Sequence, residues 1–288
     1  MGLCIAAFLT SFVFSTKVRA ACGLEYCPVE LSPNTDSSSN MAFELPVQIN
    51  VAGFNLKAGQ GHYVETATGL VAEISANILV GATLGWIVLE RNDHQETGPG
   101  NPMAFLQYNL ELPSRALKLA IGSQLEFPMS SSPATIASSH FEVLPYFSAR
   151  YQYDSFFSSL RAGGRFALES LGHGDGHSHH HDHHHAPFAD AHGLDAANIQ
   201  FVNAHHDAEL LVWWNLGAHL TQALQASAFV NSKASMSQDT RGDTYITAGL
   251  STTVQAHDVV DIYLAAEFPL TEFRWFDWRS TLKTSVAF

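Results

Sequence analysis

Phe43-Glu44-Leu45-Pro46-Val47-Gln48-Ile49-Asn50-Val51-Ala52 changes character at every residue. Successive side chains of a β-strand point to opposite faces, so this stretch puts Phe43, Leu45, Val47, Ile49 and Val51 on one face. Glu44, Pro46, Gln48, Asn50 and Ala52 take the other. The same rhythm returns throughout the chain. Leu117, Leu119, Ile121, Leu125 and Phe127 oppose Lys118, Ala120, Gly122, Gln124 and Glu126. Leu160, Ala162, Phe166 and Leu168 oppose Arg161, Gly163, Arg165 and Glu169. Val260, Ile262, Leu264 and Ala266 oppose Asp261, Tyr263, Ala265 and Glu267, and Leu282, Val286 and Phe288 close the chain against Thr281, Lys283, Ser285 and Ala287.

Working outward from these runs predicts strands over 43–54, 61–75, 78–90, 102–111, 115–127, 139–153, 156–169, 206–219, 221–233, 243–254, 257–268 and 279–288. The connectors alternate in length. Those at Ala76, 112–114, 154–155, Leu220 and 255–256 are short, whereas 91–101, 128–138, 170–205, 234–242 and 269–278 are long, with 55–60 the shortest of that set. Short turns on one side and long loops on the other, with an even strand number, mark a transmembrane antiparallel up-and-down β-barrel of about 12 strands. The fold class is therefore all-β. A soluble β-sandwich with an aromatic core is the competing reading. Trp86, Tyr146, Tyr151, Tyr153, Trp213, Trp214, Trp275 and Trp278 fall near strand ends, as interfacial girdles would.

Composition fits lipid on one face. The 288 residues are 46% hydrophobic and only 14% charged, against roughly a quarter in an ordinary soluble domain. A net charge of −13 without a basic cluster excludes nucleic acid as a partner. Residues 2–14 form a short apolar core followed by Val18-Arg19-Ala20, which reads as an export signal over 1–20. Its positive charges, Lys17 and Arg19, follow the apolar core, a pattern expected if the start were misplaced. Residues 21–40 read as a periplasmic linker, in which Cys22 and Cys27 pair most simply as a small disulfide loop. A lipidated Cys22 is the rival, disfavoured by Arg19 three positions earlier. The barrel is expected over 41–288, in the bacterial outer membrane, with outer-membrane lipid as its first partner.

Arg279-Ser-Thr-Leu-Lys-Thr-Ser-Val-Ala-Phe288 resembles the closing strand of outer-membrane barrels. That resemblance implies that the end bearing Phe288 is read by the barrel-assembly machinery. Gly98-Pro-Gly-Asn-Pro-Met-Ala-Phe-Leu-Gln-Tyr-Asn-Leu110, followed by Lys118 to Pro128, is similar to the outer-membrane transporter family named for the meta-pathway of phenol degradation. There a Gly-rich loop leads into a strand, a tight turn and a strand ending in Pro. Glu209 to Phe229 and Gly249 to Pro269 continue the likeness, which spans roughly residues 60–288; Asn101 lies near the position of the family's Asp, and no Gly follows Pro128. The resemblance implies a channel for small organic compounds and no catalytic residue.

With apolar faces toward lipid, the opposite faces line the lumen. The expected lumen residues are Glu65, Glu73, Glu111, Lys118, Glu126, Arg150, Arg161, Arg165, Glu169, Glu209, Asp261, Glu267 and Lys283. Either they border an open polar pore, or they form an ionic network that fills the interior, as in a sealed structural or adhesion-type barrel whose His-rich loop is a metal-dependent binding surface.

The long connector 170–205 carries the most specific chemistry. His173, His177, His179, His180, His181, Asp182, His183, His184 and His185, with His192 shortly after, are candidate ligands for zinc or another divalent transition metal. Imidazole suits Zn²⁺, Cu²⁺ and Ni²⁺, and a Gly-flanked run offers several donor sets, so binding is expected to be weakly selective. The competing readings are a low-complexity surface loop and a pH-sensing cluster charging below roughly pH 6.5. Outer-membrane lipid hydrolysis is a further alternative, resting on His219 with Thr221. No His-x-Ser pair supports it, and no enzyme activity is expected.

Overall fold

The computed structural model describes residues 42–56, 59–114, 116–129, 131–138, 140–168, 202, 208–236, 244–272 and 274–288. Among these the chain forms thirteen strands: β1 (Ala42–Leu56), β2 (Gly59–Ser75), β3 (Ile78–Arg91), β4 (His94–Pro99), β5 (Met103–Leu110), β6 (Leu117–Glu126), β7 (Phe141–Tyr153), β8 (Phe156–Leu168), β9 (Ala208–His219), β10 (Leu224–Ser235), β11 (Thr244–His257), β12 (Val260–Pro269) and β13 (Trp278–Ala287). Every pairing is antiparallel, each strand joins its neighbour in sequence except that β4 and β5 both join β3, and β1 joins β13, so the sheet closes on itself.

The ring has twelve places, because β4 and β5 share one. β4 pairs with the outer half of β3 (Trp86↔Pro99 to Arg91↔His94), and β5 pairs with the inner half of the same edge (Ile78↔Tyr108 to Thr83↔Met103). Gly100-Asn101-Pro102 interrupts them. The long connector expected over 91–101 is thus a tight hairpin and most of a strand. Asn92 and Asp93 have φ of 48° and 67°, the type I′ turn geometry that these two residue types tolerate.

Following the register once around the ring returns to β1 displaced by about 14 residues, a stagger that tilts the strands by about 40°. Both chain ends of the barrel meet at one rim, where the Phe288 amide donates to the Phe43 carbonyl at 2.9 Å. The turns 76–77, 154–155, 220–223 and 258–259 lie at that rim, the periplasmic one.

Polarity is inverted relative to a water-soluble protein. Phe43, Leu45, Leu106, Ile121, Leu250 and Leu264 are exposed on the outer face, with Leu250 at 69%. Residues of the opposite strand face, such as Glu44, Gln107, Gln124 and Arg165, are buried inside. A sandwich core would bury the first set and expose the second. The outer face is therefore a hydrocarbon-facing belt, and the soluble alternative is excluded by its own physics.

Four inward aromatics sit directly opposite glycines: Phe105 on Gly81, Tyr146 on Gly122, Phe157 on Gly217 and Phe229 on Gly249. A Cβ at Gly81 would lie 2.3 Å from the Phe105 ring, and one at Gly122 would lie 2.5 Å from that of Tyr146. The missing side chain lets each ring lie over the wall without projecting across the lumen.

Candidate functional site: the barrel lumen

The inward faces of the twelve places make three zones along the barrel axis. At the outer mouth, Ala52, Phe54, Tyr63, Ile87, Leu89 and Tyr245 project inward from strand ends and meet Ile136 and Ala137 of the β6–β7 connector. Trp275 and Phe276 of the β12–β13 connector and Val202 complete the same buried cluster. Tyr245 makes edge contacts with Trp275 at 4.6 Å and Phe276 at 5.7 Å. The Val202 amide donates to the Thr135 carbonyl at 3.4 Å, and Ser132 Oγ donates to the Pro99 carbonyl at 2.5 Å. Connectors on the outer side therefore fold into the mouth as an apolar cap.

Directly beneath it lies a belt of charge. The register sets Glu126 opposite Glu142, Arg165 opposite Glu209, Glu267 opposite Arg279 and Asn50 opposite Glu65. Arg165 Nε lies 3.3 Å from Glu142 Oε2, and its Nη2 lies 4.0 Å from Glu126 Oε2. Arg279 Nε donates to Glu267 Oε2 at 3.0 Å, while Asn231 Nδ2 and Thr247 Oγ1 both donate to Glu267 Oε1, the first at 2.7 Å. Asn50 Nδ2 donates to Glu65 Oε2 at 2.8 Å, and Asn101 Nδ2 to Glu126 Oε1 at 2.7 Å. Charges this deeply buried persist only with such partners, because desolvation would otherwise dominate.

The belt's cations also rest on rings: Arg279 on Phe276 at 4.7 Å and Lys233 on Trp275 at 5.1 Å. Lower down, Arg161 lies over Tyr146 at 3.8 Å and Arg150 over Phe157 at 4.6 Å. A cavity of about 50 Å³ opens at the lower edge of the belt on the β6–β10 wall, lined by Gln124, Tyr146, Arg161, Trp213, Asn231 and Lys233 among others.

Of the lumen residues expected from sequence, Glu65, Glu126, Arg150, Arg165, Glu209, Glu267 and Lys283 are buried on the inward face. Glu73, Lys118, Arg161 and Asp261 share that face and are half-buried toward the periplasmic end or the middle. Glu111 sits elsewhere: it follows the end of β5, exposed at the periplasmic rim, where Asn77 Nδ2 donates to its Oε1 at 2.6 Å. The alternation ends with the strand at Leu110, and with it the inward direction.

Glu169, the cluster from His173 to His185, His192, Cys22 and Cys27 lie outside the described residues. Among the described residues no group of His, Cys, Asp or Glu is placed to hold a metal ion. His219 ends β9 at the periplasmic rim with its ring centre 5.5 Å from that of Phe157, and Thr221 Oγ1 accepts from the Ala223 amide at 3.2 Å within the turn.

Three girdle assignments change. Tyr146 and Trp275 are buried and Trp213 half-buried, because strand parity or the inward fold of a connector puts them inside; Trp86, Tyr151, Tyr153, Trp214 and Trp278 remain exposed outside. The cap itself was not anticipated. Its signal is a local loss of alternation, as in Val51-Ala-Gly-Phe-Asn-Leu56 and Trp86-Ile-Val-Leu89, where both faces turn apolar.

A closed ring of twelve places with a lipid-facing belt and an ionic interior defines a bacterial outer-membrane β-barrel. The solved structures it is similar to are of that kind. The COG4313 outer membrane channel from Pseudomonas putida F1 superposes with a TM-score of 0.60 at 7% identity, covering 88% of this chain and 97% of that one. The KdgM porin gives 0.50 at 10% identity with 85% and 99% covered, and the NanC porin 0.50 at 8% identity with 85% and 98%. At these identities the likeness is one of fold. No protein-family model and no curated sequence matches the chain.

Proposed function

We propose that this barrel is an outer-membrane channel for small solutes, closed at its outer mouth by the apolar cap in the conformation described. The observation that carries this reading is the inward face below the cap, where polar and ionic side chains outnumber the few wall-lying aromatic and aliphatic ones. A barrel sealed merely for stability could fill its interior with packed aliphatic side chains at no desolvation cost. Likeness to solved channels and porins supports the same reading. So does the local course of β4, the Gly100–Pro102 break, β5, the turn and β6, which follows the pattern of the transporter family named for the meta-pathway of phenol degradation. Small organic solutes are accordingly its cargo.

The His-rich connector 170–205 is proposed as a divalent transition-metal site at the outer face, on the strength of its donor chemistry. The end bearing Phe288 is proposed as the element read by the barrel-assembly machinery, and deleting Phe288 should lower outer-membrane yield. In planar bilayers the purified protein should conduct, and Zn²⁺ should change that conductance through residues 173–185. Silence at every voltage and with the cap removed would end the channel reading. It would favour the second one, a sealed structural or adhesion-type barrel, which the buried cap and belt give specific support.

A further inference from the structure

Gln124 and Asn231 are 2% and 7% exposed, and each carries a buried polar atom with no hydrogen-bond partner among the described residues: Gln124 Nε2, a donor, and Asn231 Oδ1, an acceptor. Asn231 cannot be turned to relieve this, since its Nδ2 donates to the Glu267 carboxylate at 2.7 Å and a carboxylate cannot donate in return. Both side chains line the same cavity on the β6–β10 wall. A buried donor and a buried acceptor left unsatisfied on one cavity are each costly, and such groups persist where something else supplies the missing bonds.

The rest of the lining names the chemistry of that partner. Two cations, Arg161 and Lys233, border the cavity, and no carboxylate does. Arg161 is positioned by a chain of contacts. Gly122 gives Tyr146 room to lie on the wall, the Tyr146 hydroxyl donates to Gln107 Oε1 at 3.1 Å, and the guanidinium lies 3.8 Å over the Tyr146 ring. Trp213 offers a second aromatic surface. Gly163, inward on β8, lets Tyr146 and the Pro145 carbonyl approach this wall of the recess, since a Cβ there would lie 2.5 Å from the Pro145 oxygen.

We infer that this recess is a binding site for a small hydroxylated carboxylate. The carboxylate would face Arg161 and Lys233 and accept from Gln124 Nε2, a hydroxyl would donate to Asn231 Oδ1, and the carbon backbone would lie against Tyr146 and Trp213. A neutral polyol satisfies the amides and not the cations; a cationic analogue is repelled. The inference deepens the channel reading by naming a solute class, but the site can be tested without transport.

Gluconate, its neutral counterpart sorbitol and the cationic N-methylglucamine make a matched set of probes for calorimetric titration of the detergent-purified full chain. Gluconate should bind saturably, at least about tenfold more tightly than sorbitol, with no heat from N-methylglucamine. Gln124→Leu should weaken gluconate about tenfold while leaving the thermal midpoint unchanged or higher, because it removes an unsatisfied group. Arg161→Met should abolish the preference over sorbitol. Equal heats from all three probes, no binding of any, or a Gln124→Leu variant that loses stability and keeps affinity would each overturn the site. Planar-bilayer recording separates the two readings: binding without conductance removes the channel and keeps the site, whereas conductance unaltered by gluconate, with no heat in titration, removes the site and keeps the channel.

Discussion

Arg165 has no exposed surface, and its guanidinium is held between Glu142 at 3.3 Å and Glu126 at 4.0 Å. Glu142 and Glu209, the residue opposite Arg165 in register, are equally buried. Replacing Arg165 by Met strands carboxylates in a water-poor interior and should cost about 3–5 kcal/mol, whereas pairing it with Glu142→Gln should recover part of the loss. Thermal unfolding read from heat-modifiable gel migration checks both variants, and additive losses would mean that the pair is not coupled. Gly122 makes the opposite kind of prediction. Adding one methyl as Gly122→Ala forces the Tyr146 ring off the wall, with an expected cost of about 1–3 kcal/mol and a loss of its bond to Gln107. At this scale the sequence placed Arg165, Glu126 and Glu209 inside by parity alone. It gave no partner for any of them, because partners come from registers between strands far apart in the chain.

Among the strands, β11 shows both environments in adjacent residues. Leu250 is exposed on the hydrocarbon-facing side, and Ser251, inward, shares a hydrogen bond of 2.7 Å with Ser227. Leu250→Arg should destabilise the barrel by about 2–4 kcal/mol, the cost of a guanidinium near mid-bilayer, while Ser251→Arg meets hydrated or ionic surroundings and should cost less. Comparing the two by refolding into lipid vesicles checks the assignment of faces, and equal costs would contradict it. The cap connectors are the other element with a measurable role. Residues 131–138 enter the mouth and place Ile136 and Ala137 in the apolar cluster. Deleting 131–138 should raise single-channel conductance or open-state occupancy in planar bilayers, with the strands around them intact. The hairpin at Asn92-Asp93 was missed in sequence because polar, turn-forming residues read as loop; only pairing with β3 shows that 94–99 carries the barrel wall upward.

For the whole molecule, closure between β1 and β13 is the decisive event, since an open twelve-place sheet would leave two edges of unpaired backbone in hydrocarbon. The amino-acid sequence by itself determined which side chains meet lipid and which meet the interior, because a period of two is a local property that survives any change of neighbour. It also determined the strand number, through the alternation of connector lengths. Tertiary structure alone decided what the interior does with its charges. The belt, the cap and the recess at Gln124 and Asn231 each unite residues from several strands and connectors, and a shift of one residue in any register would turn those side chains to the opposite face.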